Sequence, residues 1–304
     1  MFLSLTLFVV GCRTQLAPVE ISCVFVDTTI VLSYGYTCVL NAKTFDVPNY
    51  EVTFSGQHRG GRNNSDVRNV RITNSKIPFI LRDIFTVFPN VYAMQVDNGG
   101  LKDIQGSAFA RAENLRVLNF VQNNITSLTA DTFINLPFLE ELYFVSNNIS
   151  SVSVNSFNGL QRLISLRFQN DSITSFLPFT FRPLVNLRNI FLTELRLQRI
   201  EGRLFASNRF LRILDLQDND INAMQSTFLD NLANIQLINL MGNQCVNYFF
   251  SIEGNQTILE VQRNLTRCFN NFDNNTPVNV TRLTLEFEGH FTLFNENGTE
   301  IVRL

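Results

Sequence analysis

Leu115-Arg-Val-Leu-Asn-Phe-Val-Gln-Asn-Asn-Ile125 is the stretch that decides the fold. Numbered 1 to 11, it places apolar side chains at positions 1, 4, 6 and 11 and Asn123 at position 9. The same frame returns from Leu139, where Leu142, Phe144, Asn147 and Ile149 take those places. It returns again from Leu211, with Leu214, Leu216, Asn219 and Ile221. The starts Val67, Val91, Leu115, Leu139, Leu163, Leu187, Leu211 and Ile235 are each 24 residues apart. Chance does not hold such a register over eight units.

Alternation over positions 2 to 7 is a strand pattern. It turns residues 1, 4 and 6 toward a core and residues 3 and 5 away from it. The return path carries further apolar anchors: Ile80, Ile104, Leu128, Val152, Phe176, Ile200 and Met224. At position 19 a phenylalanine recurs as Phe85, Phe109, Phe133, Phe157, Phe181 and Phe205; the last full unit has Phe228 one place early, beside Leu229. Such rings would stack into a spine behind the strands. One unit cannot cover its own apolar side, so the units must stack. Parallel strands about 4.8 Å apart would give a concave sheet about 34 Å long. The expected class is an α/β solenoid: eight 24-residue units in a right-handed horseshoe, with a parallel sheet inside the curve. Asn123, Asn147, Asn219 and Asn243 at position 9 can satisfy backbone groups in adjacent turns. Ser75, Gly99, Asp171 and Leu195 take that place elsewhere, and Leu195 predicts a local irregularity.

Residues 1–17 are expected to be a signal segment, with an apolar run from Phe2 to Val10 too short to span a membrane. Val-Val-Gly-Cys also has the form of a bacterial lipidation box, against which the missing basic residues and the many glycan acceptors argue. Residues 18–66 are expected to cap the array, residues 67–244 to form the repeats, residues 245–276 to close them, and residues 277–304 to form a β-hairpin tail. In the first cap, Tyr50 to Phe54 predicts a strand ahead of the first unit, and Gln57 to Asn64 a flexible surface turn. The polar stretch Asn270 to Pro277 predicts a linker. Cysteines flank the repeats, which predicts bridges Cys23–Cys38 and Cys245–Cys268, since the two pairs lie at opposite ends of a long coil. Disulfides imply an oxidising compartment and hence a secreted, extracellular protein. Cys12 either leaves with the signal or forms an intermolecular bridge; that bridge, or the tail hairpin, would make a dimer. Sequons at Asn63, Asn124, Asn148, Asn170, Asn255, Asn264, Asn274, Asn279 and Asn297 fit a glycoprotein.

No catalytic, metal or cofactor constellation stands out. The two histidines, His58 and His290, fall far apart in sequence, and no metal-binding or thiol-redox motif is present. Asp218 to Asn222 hints at a calcium loop but has Ala223 where glycine is needed. A net charge of −2 and a pI near 5.8 give no global drive toward nucleic acid. No other run is long enough to cross a membrane. The outward face of the strands remains. Arg68, Tyr92, Arg116, Arg188 and Arg212 at position 2, and Tyr143, Arg167 and Phe191 at position 5, are the candidate partner-binding residues. Tyr and Arg are the residue types that most often carry interface energy.

The repeat resembles the leucine-rich repeat, L-x-x-L-x-L-x-x-N-x-L. With the position-19 phenylalanine and cysteine caps, residues 20 to 270 are similar to extracellular leucine-rich repeats of animals, including Toll-like receptor ectodomains and secreted insect immune proteins. That resemblance implies recognition of proteins, glycans or microbial products through the horseshoe, in immunity or at cell surfaces. A structural or matrix protein that assembles through its repeats and edge hairpin is the other reading.

Overall fold

The computed structural model describes residues 19–31, 33–41, 52–252, 257–275, 283–285, 291–294 and 300–303. Its centre is an 11-stranded sheet. Eight of the strands are those of the 24-residue units: Asn69–Thr73, Ala93–Asp97, Val117–Val121, Glu141–Val145, Ser165–Gln169, Asn189–Thr193, Ile213–Asp215 and Leu237–Asn239. All run parallel and in step, position against position: Leu118 pairs with Leu142, and Leu142 with Leu166. The chain is therefore a parallel-strand solenoid of about seven turns. Each turn places positions 1, 4 and 6 inside, and Leu118, Leu142 and Leu214 are fully buried.

Two phenylalanine stacks fill the coil. At position 19, rings from Phe85 to Phe205 follow one another at centroid distances of 6.0, 6.4, 6.4, 5.8 and 5.7 Å. At position 6, Phe120, Phe144 and Phe168 stack at 5.4 and 4.9 Å. The stacks meet where Phe157 lies edge-on to Phe168 at 6.4 Å. A spine and a strand-side row thus form one continuous apolar wall.

Position 9 ties each turn to the one before. The amide of Asn123 donates to the Val96 carbonyl at 2.8 Å, and its oxygen accepts from the backbone N–H groups of Gly99 and Leu101. Asn147, Asn219 and Asn243 donate to the carbonyls of Phe120, Leu192 and Leu216 in the same way. Position 8 is left-handed in every unit, with φ from 46° to 69° at Asn74, Asn98, Gln122, Ser146, Asn170, Glu194, Asp218 and Gly242. That conformation turns the chain out of the strand, and Asn, Asp and Gly accept it most readily. The irregularity expected at Leu195 falls on the side of the following coil. Asn189–Thr193, the strand of its own coil, keeps five paired residues with Ser165–Gln169 but only three, Asn189 to Phe191, with Ile213–Asp215. Leu195 is itself buried, as an apolar filler in a slot that the amides occupy elsewhere.

Both ends depart from the expectations. The strand ahead of the first unit is Ser33–Asn41, antiparallel to Val24–Ile30 and parallel to Asn69–Thr73. Val52–Ser55 is also a strand, but it pairs with Val19–Ser22 in a separate two-stranded sheet. Cys23–Cys38 lies across the cap hairpin. The turn at 57–64 is pinned rather than free. His58 stacks on Phe25 at 3.9 Å and is hydrogen-bonded to the Tyr36 hydroxyl and the Asn64 side chain, while Asn63 caps a short 3-10 helix, Asn64–Asp66. At the other end, the stretch expected as linker is mostly helix. Thr266–Asn275 buries Cys268 and Phe272, with Leu265 just ahead, and Cys268 bridges to Cys245. The spacing of those apolar residues is helical, which polar composition masked. The tail contains three antiparallel strands, Leu283–Leu285, Phe291–Phe294 and Glu300–Arg303, one more than a hairpin. The signal segment, Cys12, and the sequons at Asn255, Asn279 and Asn297 lie outside the described residues. Among the described residues no helix is long and apolar enough to cross a membrane.

Candidate functional site: the concave face and its rim

Strand alternation sends positions 3, 5 and 7 to the open face of the sheet. Position 5 forms a row, since Asn119 pairs with Tyr143, Tyr143 with Arg167, Arg167 with Phe191 and Phe191 with Asp215. Three candidates, Tyr143, Arg167 and Phe191, therefore stand side by side at the middle of the face, each half-buried. The Arg167 guanidinium lies 4.4 Å from the centroid of the Phe191 ring and donates to Gln169 at 3.2 Å. The Tyr143 hydroxyl donates to a Glu141 carboxylate oxygen at 2.8 Å. Burial, reinforced by Glu141, pushes the Tyr143 hydroxyl up to about 12, so it remains a donor at neutral pH. Burial also raises the Asp215 carboxyl, against the pull of the Gln217 backbone N–H and the Arg167 charge. Asn119 leaves a buried amide oxygen with no partner in this row. The patch offers a phenol, a stacked guanidinium, a ring and flanking carboxylates.

The other five candidates lie elsewhere. Arg68, Tyr92, Arg116, Arg188 and Arg212 stand one residue before the strands, on the rim where the chain enters the sheet. Their separation from the position-5 row follows from the strand beginning at position 3. At the amino-terminal end the face is closed. Ile30, at the tip of the cap hairpin, packs with Ala93 and Val117, and Val31 and Tyr92 pack against them. Ser33 and Asn69 join their side chains at 3.0 Å beneath that tip. Tyr92 thus belongs to the seal, with the Arg68 guanidinium 5.8 Å from its ring. Arg71 is taken up by Asp97, at 2.7 Å. The open part of the face runs from Asn119 toward Asn239.

Glu141 at position 3 and Gln169 and Gln217 at position 7 also lie on this face; the alternation turns position 3 outward, but none of the three was among the candidate residues. The described sequon asparagines, Asn63, Asn124, Asn148, Asn170, Asn264 and Asn274, all have exposed side chains. Asn124, Asn148 and Asn170 line the rim where the chain leaves the strands, opposite the arginines.

The leucine rich repeat family profile matches residues 89–149 and 139–194. Residues 89–194 carry leucine-rich repeats. Among solved structures, these repeats are similar to the TLR13–ssRNA13 complex at 20% identity and a TM-score of 0.57, covering 65% of this chain and 29% of that one. They are similar to a leucine-rich-repeat protein of Leptospira interrogans at 19% identity and a TM-score of 0.53, covering 65% of this chain and 50% of that one. The chain spans half or less of the length of either of these structures. At such identities the likeness is one of fold. No curated protein sequence matches the chain.

Proposed function

We propose that this leucine-rich-repeat protein is a secreted recognition module that binds an extracellular protein or glycan through its concave face, in innate immunity or at a cell surface. One observation carries the reading. Tyr143, Arg167 and Phe191 form an unbroken row at the centre of the open face, with Arg167 stacked 4.4 Å from Phe191 and Tyr143 anchored to Glu141. Side chains already held in place lose little entropy on binding, and Tyr and Arg dominate binding energy at interfaces. Two disulfides support an oxidising compartment. The TLR13 relative is captured with an RNA, whereas the central row here offers an acidic flank in Glu141 and Asp215, which disfavours a polyanion on this face.

The test takes the glycosylated protein as bait in its native fluid, identifies the captured partner, and measures its affinity for Tyr143→Ser and Phe191→Ser. Each substitution should weaken binding by about thirtyfold, as for a central interface anchor. Unchanged affinity in both would refute the reading. Assembly with further copies of the chain is the second reading. The end strand Phe249–Ser251 favours it, because Tyr248 and Phe249 remain 46% and 44% exposed there. Sedimentation showing only monomer at micromolar concentration would remove it.

A further inference from the structure

We propose that the strand-entry rim between Arg116 and Arg212 is a second binding surface, and that its ligand is a sulfated polysaccharide. It lies apart from the concave row and stands whether or not that row binds a partner.

The rim is built as a regular row. Glu140 donates its backbone N–H to the Arg116 carbonyl at 2.8 Å, Ile164 to Glu140 at 2.8 Å, Arg188 to Ile164 at 2.9 Å and Arg212 to Arg188 at 2.7 Å. Four such steps cover about 19 Å at the strand spacing of a sheet. Arg162 stands two residues before Ile164 in its coil, and Arg209 three before Arg212. Five guanidiniums therefore face two carboxylates, Glu113 and Glu140, a local excess of three positive charges on a chain whose net charge is −2. Glu140 stands 3.8 Å from Arg116. Arg162, Arg188, Arg209 and Arg212 are exposed, and none joins an ion pair among the described residues.

Two of the cations are held in place. The guanidiniums of Arg116 and Arg162 lie 4.9 and 4.6 Å from the centroid of the same ring, Phe138. Arg116 also donates to the carbonyls of Glu113 and Leu115. Arg116 is thereby spent on holding the rim, whereas the exposed Arg162 guanidinium, fixed by the ring, keeps its planar fork ready for an oxyanion and loses less freedom on binding. A row of such forks suits evenly spaced sulfates along an extended chain.

The same features argue against a nucleic acid on this rim. Single-stranded nucleic acids need aromatic platforms for successive bases and groups that read base edges. Phe138 spends its ring on arginines, and Asn186 spends its amide on the Gln161 carbonyl. Phe210, 56% exposed, is a single platform. The acids and sequons gather on the opposite, strand-exit rim, at Glu194, Asp218, Asp220, Asn124, Asn148 and Asn170. Any glycans there leave the basic rim open.

The test is binding of the whole protein to immobilised heparin at about 0.15 M salt. The triple variant Arg188→Gln/Arg209→Gln/Arg212→Gln, all at exposed positions, should bind about tenfold more weakly. The concave variant Arg167→Gln, and the Tyr143→Ser and Phe191→Ser variants, should bind heparin like the wild type. Failure of the wild type to bind, equal binding by the triple variant, or equal binding to fully desulfated heparin would each overturn the proposal. So would a single-stranded RNA of matched charge that binds more tightly than heparin.

Discussion

Asp171 occupies a position built for an amide, and replacing it with asparagine should stabilise the protein in a pH-dependent way. Its Oδ1 accepts from the Ile149 backbone N–H at 3.0 Å, as an asparagine oxygen would. Its Oδ2 is buried and has no partner. In Asn123, Asn147, Asn219 and Asn243 the corresponding atom is an amide nitrogen that donates to a carbonyl 27 residues earlier. For Asp171 that carbonyl belongs to Phe144. A protonated carboxyl can donate there, but a carboxylate only repels it. Burial accordingly raises the Asp171 carboxyl from 3.8 to about 7, against the pull of the Ile149 and Asn147 backbone N–H groups.

The sign follows from proton binding. Between pH 4 and 7 the folded state holds a proton that the unfolded state has lost, so stability falls as pH rises through that window and then levels off. The displacement is equivalent to at most about 4 kcal/mol. Asp171→Asn removes the titration and restores the donor. At pH 5 it should already stabilise by about 1–2 kcal/mol, because folded Asp171 must take up a proton that the unfolded chain has largely lost. At pH 8.5 it should stabilise by about 2–4 kcal/mol. Urea unfolding of both proteins at the two pH values measures the difference. The same change at pH 5 and pH 8.5 would refute the argument, and so would a loss of stability at pH 8.5.

Two further substitutions probe the coil. Phe157 touches both phenylalanine stacks, at 6.4 Å from Phe133, 5.8 Å from Phe181 and 6.4 Å from Phe168, so Phe157→Ala should cost about 4 kcal/mol in urea unfolding; a loss below about 1 kcal/mol would show that the spine is not a continuous wall. Gly159 has φ +93°, and a Cβ there would lie 2.7 Å from the Ile134 Cα and 2.8 Å from its carbonyl oxygen. Gly159→Ala should therefore cost about 3 kcal/mol, whereas a neutral result would mean that neighbouring turns slide apart freely.

The sequence by itself determined the period, the facing of every strand and the two bridges, because burial at positions 1, 4 and 6 is a local demand repeated eight times. Position 9 was legible for the same reason: an amide is the one neutral side chain that both donates and accepts at fixed distance. The two ends were not legible. Ser33–Asn41 and Tyr50 to Phe54 alternate alike, and only the geometry of the first coil decided which would join the sheet. The helix Thr266–Asn275 was hidden by its asparagines, since one apolar stripe suffices once a coil end stands ready to receive it. The candidate face was half legible. Pattern identified Tyr143, Arg167 and Phe191 as outward, but the strand's starting point separated them from the arginine rim, and the cap hairpin removed Tyr92 from the open surface. Those outcomes depend on where distant segments meet. Repetition within the chain carries no record of that, because each unit sees its neighbours alike until something other than a repeat closes the stack.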